Sequence, residues 1–438
     1  MYSAEIRTRK KENTMKKIAL RLLCLCLAAV MCFGMFACGE QAAEPSATVG
    51  ATTAATTEAT TEATTEATTE ATTEATVAEL NYNVIESTNK IKNIILVIGD
   101  GMGLKHIDAG MYYDATTYEF TNWPMVRVNT YPLLDASGAI DTDPTDSAAS
   151  ATAMATGVLT PNGRLGKDIN NEDLPTIMDL ALSMGKATGI VTTDTLSGAT
   201  PGAFSAHASY RDNVNEIIPS QKTSGVNLLC GFAQDKYTLI ADEFRALGYA
   251  YAEDFSKVES TYSSEYAMWQ LDTYGVNATV PLQTVTPKAI EYLSQDPDGF
   301  VLMVEQAHPD KYSHGNEFEN VAKSVSDLNK TVEVIMNWVG DRDDTLVLIV
   351  ADHECGGLMV SEKETKYSNQ YTIGDKTISY EFASSNHTGA NVALYVYGVT
   401  ADFTKSDLYF KANGQKALKN TGVYRLMEEA LLQAQGEN

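Results

Sequence analysis

Cysteine is scarce where it would matter. The 438-residue chain has six, but Cys24, Cys26 and Cys32 lie in an N-terminal apolar run and Cys38 directly follows it. Only Cys230 and Cys355 remain for a folded part, which excludes a disulfide framework. They either pair or stay as buried free thiols, and free thiols are the plainer reading. Positive charge is also in short supply: 32 Lys and Arg against 57 Asp and Glu give a formal charge of −25. Seven basic and two acidic residues fall within 1–37, so the remainder carries about −30. Such a surface repels nucleic acid and anionic membranes. An anionic ligand would need local positive charge, from cations or a buried arginine. Residues 42–77 contain no aromatic and almost no large aliphatic side chain, so they cannot bury a core.

What is present begins with an address. Met15-Lys16-Lys17 opens a basic segment, and residues 20–36 are almost wholly apolar. This is the pattern of a secretory signal, with residues 1–14 readable as lying upstream of the start at Met15. Met35-Phe36-Ala37-Cys38-Gly39 is similar to a bacterial lipoprotein cleavage box, whose cysteine is lipidated, although Phe36 is bulky where a small residue is usual. Plain secretion and an uncleaved anchor helix are the alternatives. Ala-Thr-Thr-Glu then repeats five times across residues 55–74, as a flexible spacer would. The expected layout is a lipoprotein-type signal at 1–37, a stalk at 38–80 and one large domain at 81–438.

Beyond residue 93 the pattern changes. Continuous apolar runs at 94–98, 187–191, 301–304, 346–350 and 392–396 read as strands buried on both faces. Amphipathic stretches at 174–184, stopped by Gly185, and at 320–339 read as helices. The fold class is therefore α/β, a three-layer sandwich with a mostly parallel central sheet. Residues 212–297, rich in Tyr, Glu, Ser and Asn, read as a less regular insert covering or flanking the site.

In such a sheet, ligands sit beyond the carboxyl ends of the strands, and the unusual residues cluster there. Asp100 stands in Gly99-Asp100-Gly101-Met102-Gly103, Glu305 at the end of one run, and Asp352 and His353 directly after another. Asp310 and His314 are four apart, so one helical turn points them the same way. His387 opens a Gly-containing turn before what reads as the last strand. Aspartate and histidine together suit zinc or a similar ion; Asp100, Thr200 and Glu305 offer only oxygens, which suits Mg²⁺. Ser147 begins a helix of small residues, with Pro144 and Asp146 before it and Gly157 closing it. There it is either a nucleophile at a dipole's positive end or an N-cap.

Asp146-Ser147-Ala148-Ala149-Ser150-Ala151-Thr152-Ala153, with Gly-Asp-Gly-Met-Gly, Ala-Asp-His and His-Thr-Gly, resembles the alkaline phosphatase family (bacterial type) from about Lys92 to Tyr397. The resemblance implies an extracellular phosphomonoesterase acting through a phosphoserine at Ser147. It implies two zinc ions, the first held by Asp310, His314 and His387, the second by Asp100, Asp352, His353 and the Ser147 oxygen. A third ion, Mg²⁺, would take Asp100, Thr200 and Glu305. Arg211 would clamp phosphate oxygens in a planar fork, and Lys311 would lie beside the phosphate. The family is often dimeric, so a homodimer is a further expectation. A phosphodiesterase or sulfatase of the same superfamily and a non-enzymatic surface binding module are the competing functions.

The chain also departs from that family. Gly198 stands where Asp or His is usual, which predicts a weak Mg²⁺ site, leaves Lys311 without a carboxylate partner, and suggests that Gly198→Asp would tighten Mg²⁺. Gln306 and Pro309 replace the commoner Gly and Ile. His308 is a rival ligand or, more plainly, a supporting residue. Cys355, two residues after His353, reads as structural rather than a soft ligand, and His106 and His207 as packing or supporting residues.

Overall fold

The computed structural model describes residues 91–134, 137–362, 366–398, 409–412 and 415–433. The expected signal segment, Cys38 and the stalk lie outside the described residues.

Among the described residues, eleven strands form the main sheet. They are β1 (Asn93–Gly99), β2 (Met125–Asn129), β3 (Ala187–Thr195), β4 (Leu228–Phe232), β5 (Tyr249–Ala252), β6 (Tyr266–Leu271), β7 (Phe300–Gln306) and β8 (Thr345–Val350), joined by three later strands. Between these groups lie β9 (Glu354–Cys355), β10 (Leu358–Ser361), β11 (Asn369–Ile373), β12 (Lys376–Phe382) and β13 (His387–Thr388). The later sheet strands are β14 (Val392–Tyr397), β15 (Tyr409–Ala412) and β16 (Gln415–Lys419). The spatial order is β15-β16-β2-β14-β8-β1-β7-β3-β4-β6-β5. Every expected apolar run is a strand. β1, β7 and β8 are buried at each position, and each fully buried aliphatic side chain contributes roughly 1.5–3 kcal/mol of transfer free energy. β14 opposes both its neighbours, β8 and β2, and is not the last strand, because β15 and β16 extend that edge.

Register matters most for function. Ile98 of β1 lies opposite Glu305 of β7 and Val350 of β8, and Thr192 of β3 lies opposite Glu305. Three adjacent parallel strands, β8, β1 and β7, thus end near one level, β3 runs on to Thr195, and Asp100 and Asp352 lie directly beyond the ends of β1 and β8.

The segment 212–297 is more regular than its composition suggests. It supplies β4, β5 and β6, which continue the sheet in parallel beyond β3. These strands have four to six residues, too few for periodicity to stand out. Their aromatics also bury through polar tips: Trp269 Nε1 donates to Thr261 Oγ1 at 3.0 Å.

Helices complete the outer layers. Phe318–Val339 packs on Leu104–Asp114 and Leu282–Leu293, while Ser147–Thr156 packs on Ala199–Ser205 and Thr421–Gln433. The helix expected at 174–184 is Ile177–Ser183. It starts late because Thr176 and Asp179 form a reciprocal capping box. Two small antiparallel sheets, β10-β12-β11 and β13-β9, lie outside the main one.

Candidate active site

The helix Ser147–Thr156 is buried along its length, which only small side chains allow. Its cap is Asp146, not Ser147. The Asp146 carboxylate accepts from Ala149 N at 2.9 Å and from Gly163 N at 3.0 Å. The Ser147 hydroxyl is therefore released from capping, and its Oγ lies 3.2 Å from His353 Nε2. Ser150 Oγ donates to the Asp352 carbonyl at 2.6 Å, which ties this helix to the loop after β8.

That loop has Asp352 and His353 pointing into one space. Asp352 Oδ1 accepts from the backbone N–H groups of Gly101 and His353, both at 3.0 Å. His353 Nε2 is 3.5 Å from Asp100 Oδ1 and 3.3 Å from Asp352 Oδ2. Gly101 permits this crowding: its φ is +69°, and a Cβ there would meet Asp310 Cα and Cβ at 2.7 Å.

Asp310 and His314 share the short helix His308–His314. Asp310 Oδ1 is 3.4 Å from His314 Nε2 and 3.2 Å from His387 Nε2. His387 Nδ1 donates to the Thr145 carbonyl at 2.8 Å, and His314 Nδ1 to the Ser385 carbonyl at 2.6 Å. A carbonyl only accepts, so each Nδ1 holds a proton and each Nε2 faces Asp310, the arrangement of imidazoles prepared to bind a cation. Strands β9 and β13 pair His387 with Cys355. The sequence alone makes Cys355 a packing residue. It is fully buried and unbonded to Cys230, yet its sulfur and the ligand atoms of Asp310, His314 and His387 all lie within 4.8 Å of one another. A second such group is Asp100, Asp310 and His353.

Glu305 and Thr200, both 1% exposed, flank the other end of the space. Glu305 Oε2 accepts from Thr192 Oγ1. Arg211 Nη1 donates to Asp146 Oδ2 at 3.0 Å. Lys311 does have a carboxylate partner, contrary to expectation: its Nζ donates to Asp194 Oδ2 at 3.0 Å. The other histidines are engaged elsewhere. His308 Nε2 accepts from Gly275 N at 2.9 Å while its Nδ1 lies 3.0 Å from Thr193 Oγ1. His106 Nε2 meets Ser313 Oγ at 3.0 Å, and His207 Nδ1 donates to the Gly166 carbonyl at 2.8 Å.

Burial and neighbouring charges shift the acids of the site in opposite directions. Burial, then Asp352, holds Asp100 well above the usual carboxylate range. Burial, then Asp194, pushes Glu305 up to about 8. Burial also acts on Asp310, but the imidazoles of His314 and His387 outweigh it and hold that carboxyl well below its ordinary value. The Asp310 contact in turn raises His314 and, against burial, His387. Asp100 Oδ1, Thr200 Oγ1, Asp310 Oδ1 and Asp352 Oδ2 are buried with no hydrogen-bond partner. Polar atoms rarely stay buried and unpaired without compensation, and converging acids and imidazoles are compensated by metal ions. The donor set fits them.

Sequence reasoning missed two residues here: Asp146 as the cap and Asp194. Asp194 carried the same signal as the others, an acid just past an apolar run, but it lies outside the quoted motifs.

The fold and this space define a class of α/β proteins in which candidate metal ligands gather beside a helix-borne serine. Residues 91–236 and 266–425 match the family model described as "Alkaline phosphatase", and the chain belongs to that family. Residues 237–265 lie between the two matched stretches. The chain is 29% identical over 413 residues to the alkaline phosphatase of Escherichia coli, covering 76% of this chain and 88% of that protein. It is also 29% identical to alkaline phosphatase 3 of Bacillus subtilis over 295 residues. There the match covers 62% of this chain and spans just 63% of the relative's length. The fold matches the structure of alkaline phosphatase from the Antarctic bacterium TAB5 with a TM-score of 0.66 at 22% identity, covering 78% of this chain and 99% of that one.

Proposed function

We propose that this protein is a metal-dependent phosphomonoesterase that works through a phosphoserine at Ser147. The observation that carries the reading is Ser147 Oγ, 3.2 Å from His353 Nε2, at the edge of a group formed by Asp100, Asp310 and His353. Asp310, His314 and His387 would hold a first zinc, Asp100, Asp352, His353 and the Ser147 oxygen a second, and Asp100, Thr200 and Glu305 a Mg²⁺. These cations, when bound, would supply Lewis-acid stabilisation of attacking and leaving oxygens.

The residues of the chain do the rest. The start of the helix Ser147–Thr156 offers a positive dipole end to the phosphoryl oxygens. Arg211 brings a planar guanidinium suited to two of them; its contact with Asp146 keeps it charged and aimed beside Ser147. Ser147 Oγ forms a bond to phosphorus as the ester's alcohol leaves. Water then takes the phosphoryl group and returns the serine hydroxyl, releasing inorganic phosphate. Phosphoryl transfer of this kind depends on positioning and charge more than on covalent chemistry. The proposal also carries the expected setting, outside the cell on a lipidated Cys38, which rests on the composition of residues 1–80 alone.

Ser147→Ala tests the chemistry. We expect the variant, metal-loaded, to form no phosphoenzyme at acid quench and to lose activity on a nitrophenyl phosphate by at least about a thousandfold. Preferential hydrolysis of a bis-nitrophenyl phosphate or a nitrophenyl sulfate by the unaltered protein would sink the monoesterase reading. Loss of no activity in Ser147→Ala would sink the phosphoserine.

A further inference from the structure

Gly198 caps the helix Ala199–Ser205, two residues ahead of Thr200. A side chain there has no room. A Cβ built on Gly198 would stand 2.7 Å from Asp194 Oδ2, 3.1 Å from Asp194 Cγ and 3.0 Å from the Thr195 carbonyl. The missing side chain has therefore not left a gap; the Asp194 carboxylate fills it from the end of β3. From there Asp194 Oδ2 accepts from Lys311 Nζ at 3.0 Å, and the Asp194 backbone N–H donates at 2.8 Å to Thr192 Oγ1, the hydroxyl that donates to Glu305 Oε2.

We propose that Asp194 is the positioning carboxylate of the Glu305–Thr200 corner, delivered from β3 into the space that Gly198 leaves open. This rests on the cation reading of the site given above. Two consequences of opposite sign follow. The negative charge of Asp194 beside Glu305 favours a divalent cation held there. Its ion pair with Lys311 takes that ammonium out of competition for phosphate. A residue that merely supported the fold would weaken both kinds of binding together.

The arrangement also reverses the outcome expected for Gly198→Asp. A second carboxylate at 198 would collide with the first and repel it, so Mg²⁺ would bind more weakly. Moving the carboxylate, rather than adding one, is the informative change.

The experiment is calorimetric titration of the full, zinc-loaded chain with Mg²⁺ alone and, separately, with inorganic phosphate. Asp194→Asn should weaken Mg²⁺ about 10- to 100-fold, the range for lost support around metal ligands, and should tighten phosphate severalfold. Gly198→Asp alone should weaken Mg²⁺. The double change Asp194→Gly with Gly198→Asp should bring Mg²⁺ affinity back towards that of the unaltered chain, which also answers any concern that Asp194→Asn disturbs folding. Mg²⁺ affinity within twofold of the unaltered chain in Asp194→Asn, phosphate binding that weakens with it, or no recovery in the double variant would overturn the assignment. If the unaltered chain takes up no Mg²⁺ at all, the three-ion reading itself fails, an outcome distinct from the others because it appears before any substitution is made.

Discussion

The two ends of the site present different donor chemistry. At one end, Asp310 is flanked by His314, His387 and the Cys355 sulfur, and the His314 side chain is 42% exposed. At the other end, Asp100, Thr200, Glu305 and Asp194 offer only oxygen, and Glu305 and Thr200 are almost fully buried. Nitrogen and sulfur donors select borderline or soft ions, whereas oxygen selects hard ones. The contrast teaches that one strand-end level can present two donor sets, since the loops and short helices beyond the strands choose the donors.

The sharpest way to break the contrast is to displace the residue that links the ends. Gly101→Ala would place a methyl group 2.7 Å from Asp310 Cα and force a left-handed backbone on alanine, itself costing about 1–2 kcal/mol. Activity should fall by about a hundredfold, as for a misplacement near 1 Å, with zinc content by elemental analysis falling below that of the unaltered chain. Full zinc content and full activity in this variant would show that Asp310 tolerates displacement.

Cys355→Ser addresses one end alone. If the thiol contributes to ion selection, zinc affinity should drop about tenfold in competition with a chromophoric chelator, while Mg²⁺ affinity at the oxygen end stays the same. Unaltered zinc affinity would leave Cys355 in its packing role.

The smallest effect tests the flank of the oxygen end. Asp327 accepts from Gln306 Nε2 at 2.5 Å, and burial, opposed by that contact, pushes its carboxyl up to about 6. The folded protein thus holds the Asp327 proton more tightly than the unfolded chain does. Stability from this group is greatest below about pH 4 and declines as pH rises to about 6. Asp327→Asn should melt a few degrees higher than the unaltered protein at neutral pH, and the difference should close towards pH ~4. A gap independent of pH would exclude Asp327 as its source.

Much of this was legible in the order of residues. Apolar runs flanked by Gly, Asp and His announced the strands, their parallel packing and the level at which ligands gather. Four-residue spacing placed Asp310 beside His314. Other features were hidden. The strands of 228–271 are short and rich in Tyr, so their periodicity did not separate them from loops. The capping role of Asp146 could not be told from that of Ser147, because either residue type can cap.

Ser147, the acids and imidazoles at strand ends and the class of fold follow from sequence alone, because burial periodicity and side-chain chemistry are local properties. The partners of Lys311 and His387 do not. Asp194 is 117 residues from Lys311, and Cys355 meets His387 through the pairing of β9 with β13. Such contacts exist only once strand register and close packing bring distant backbone together, so they were settled in three dimensions.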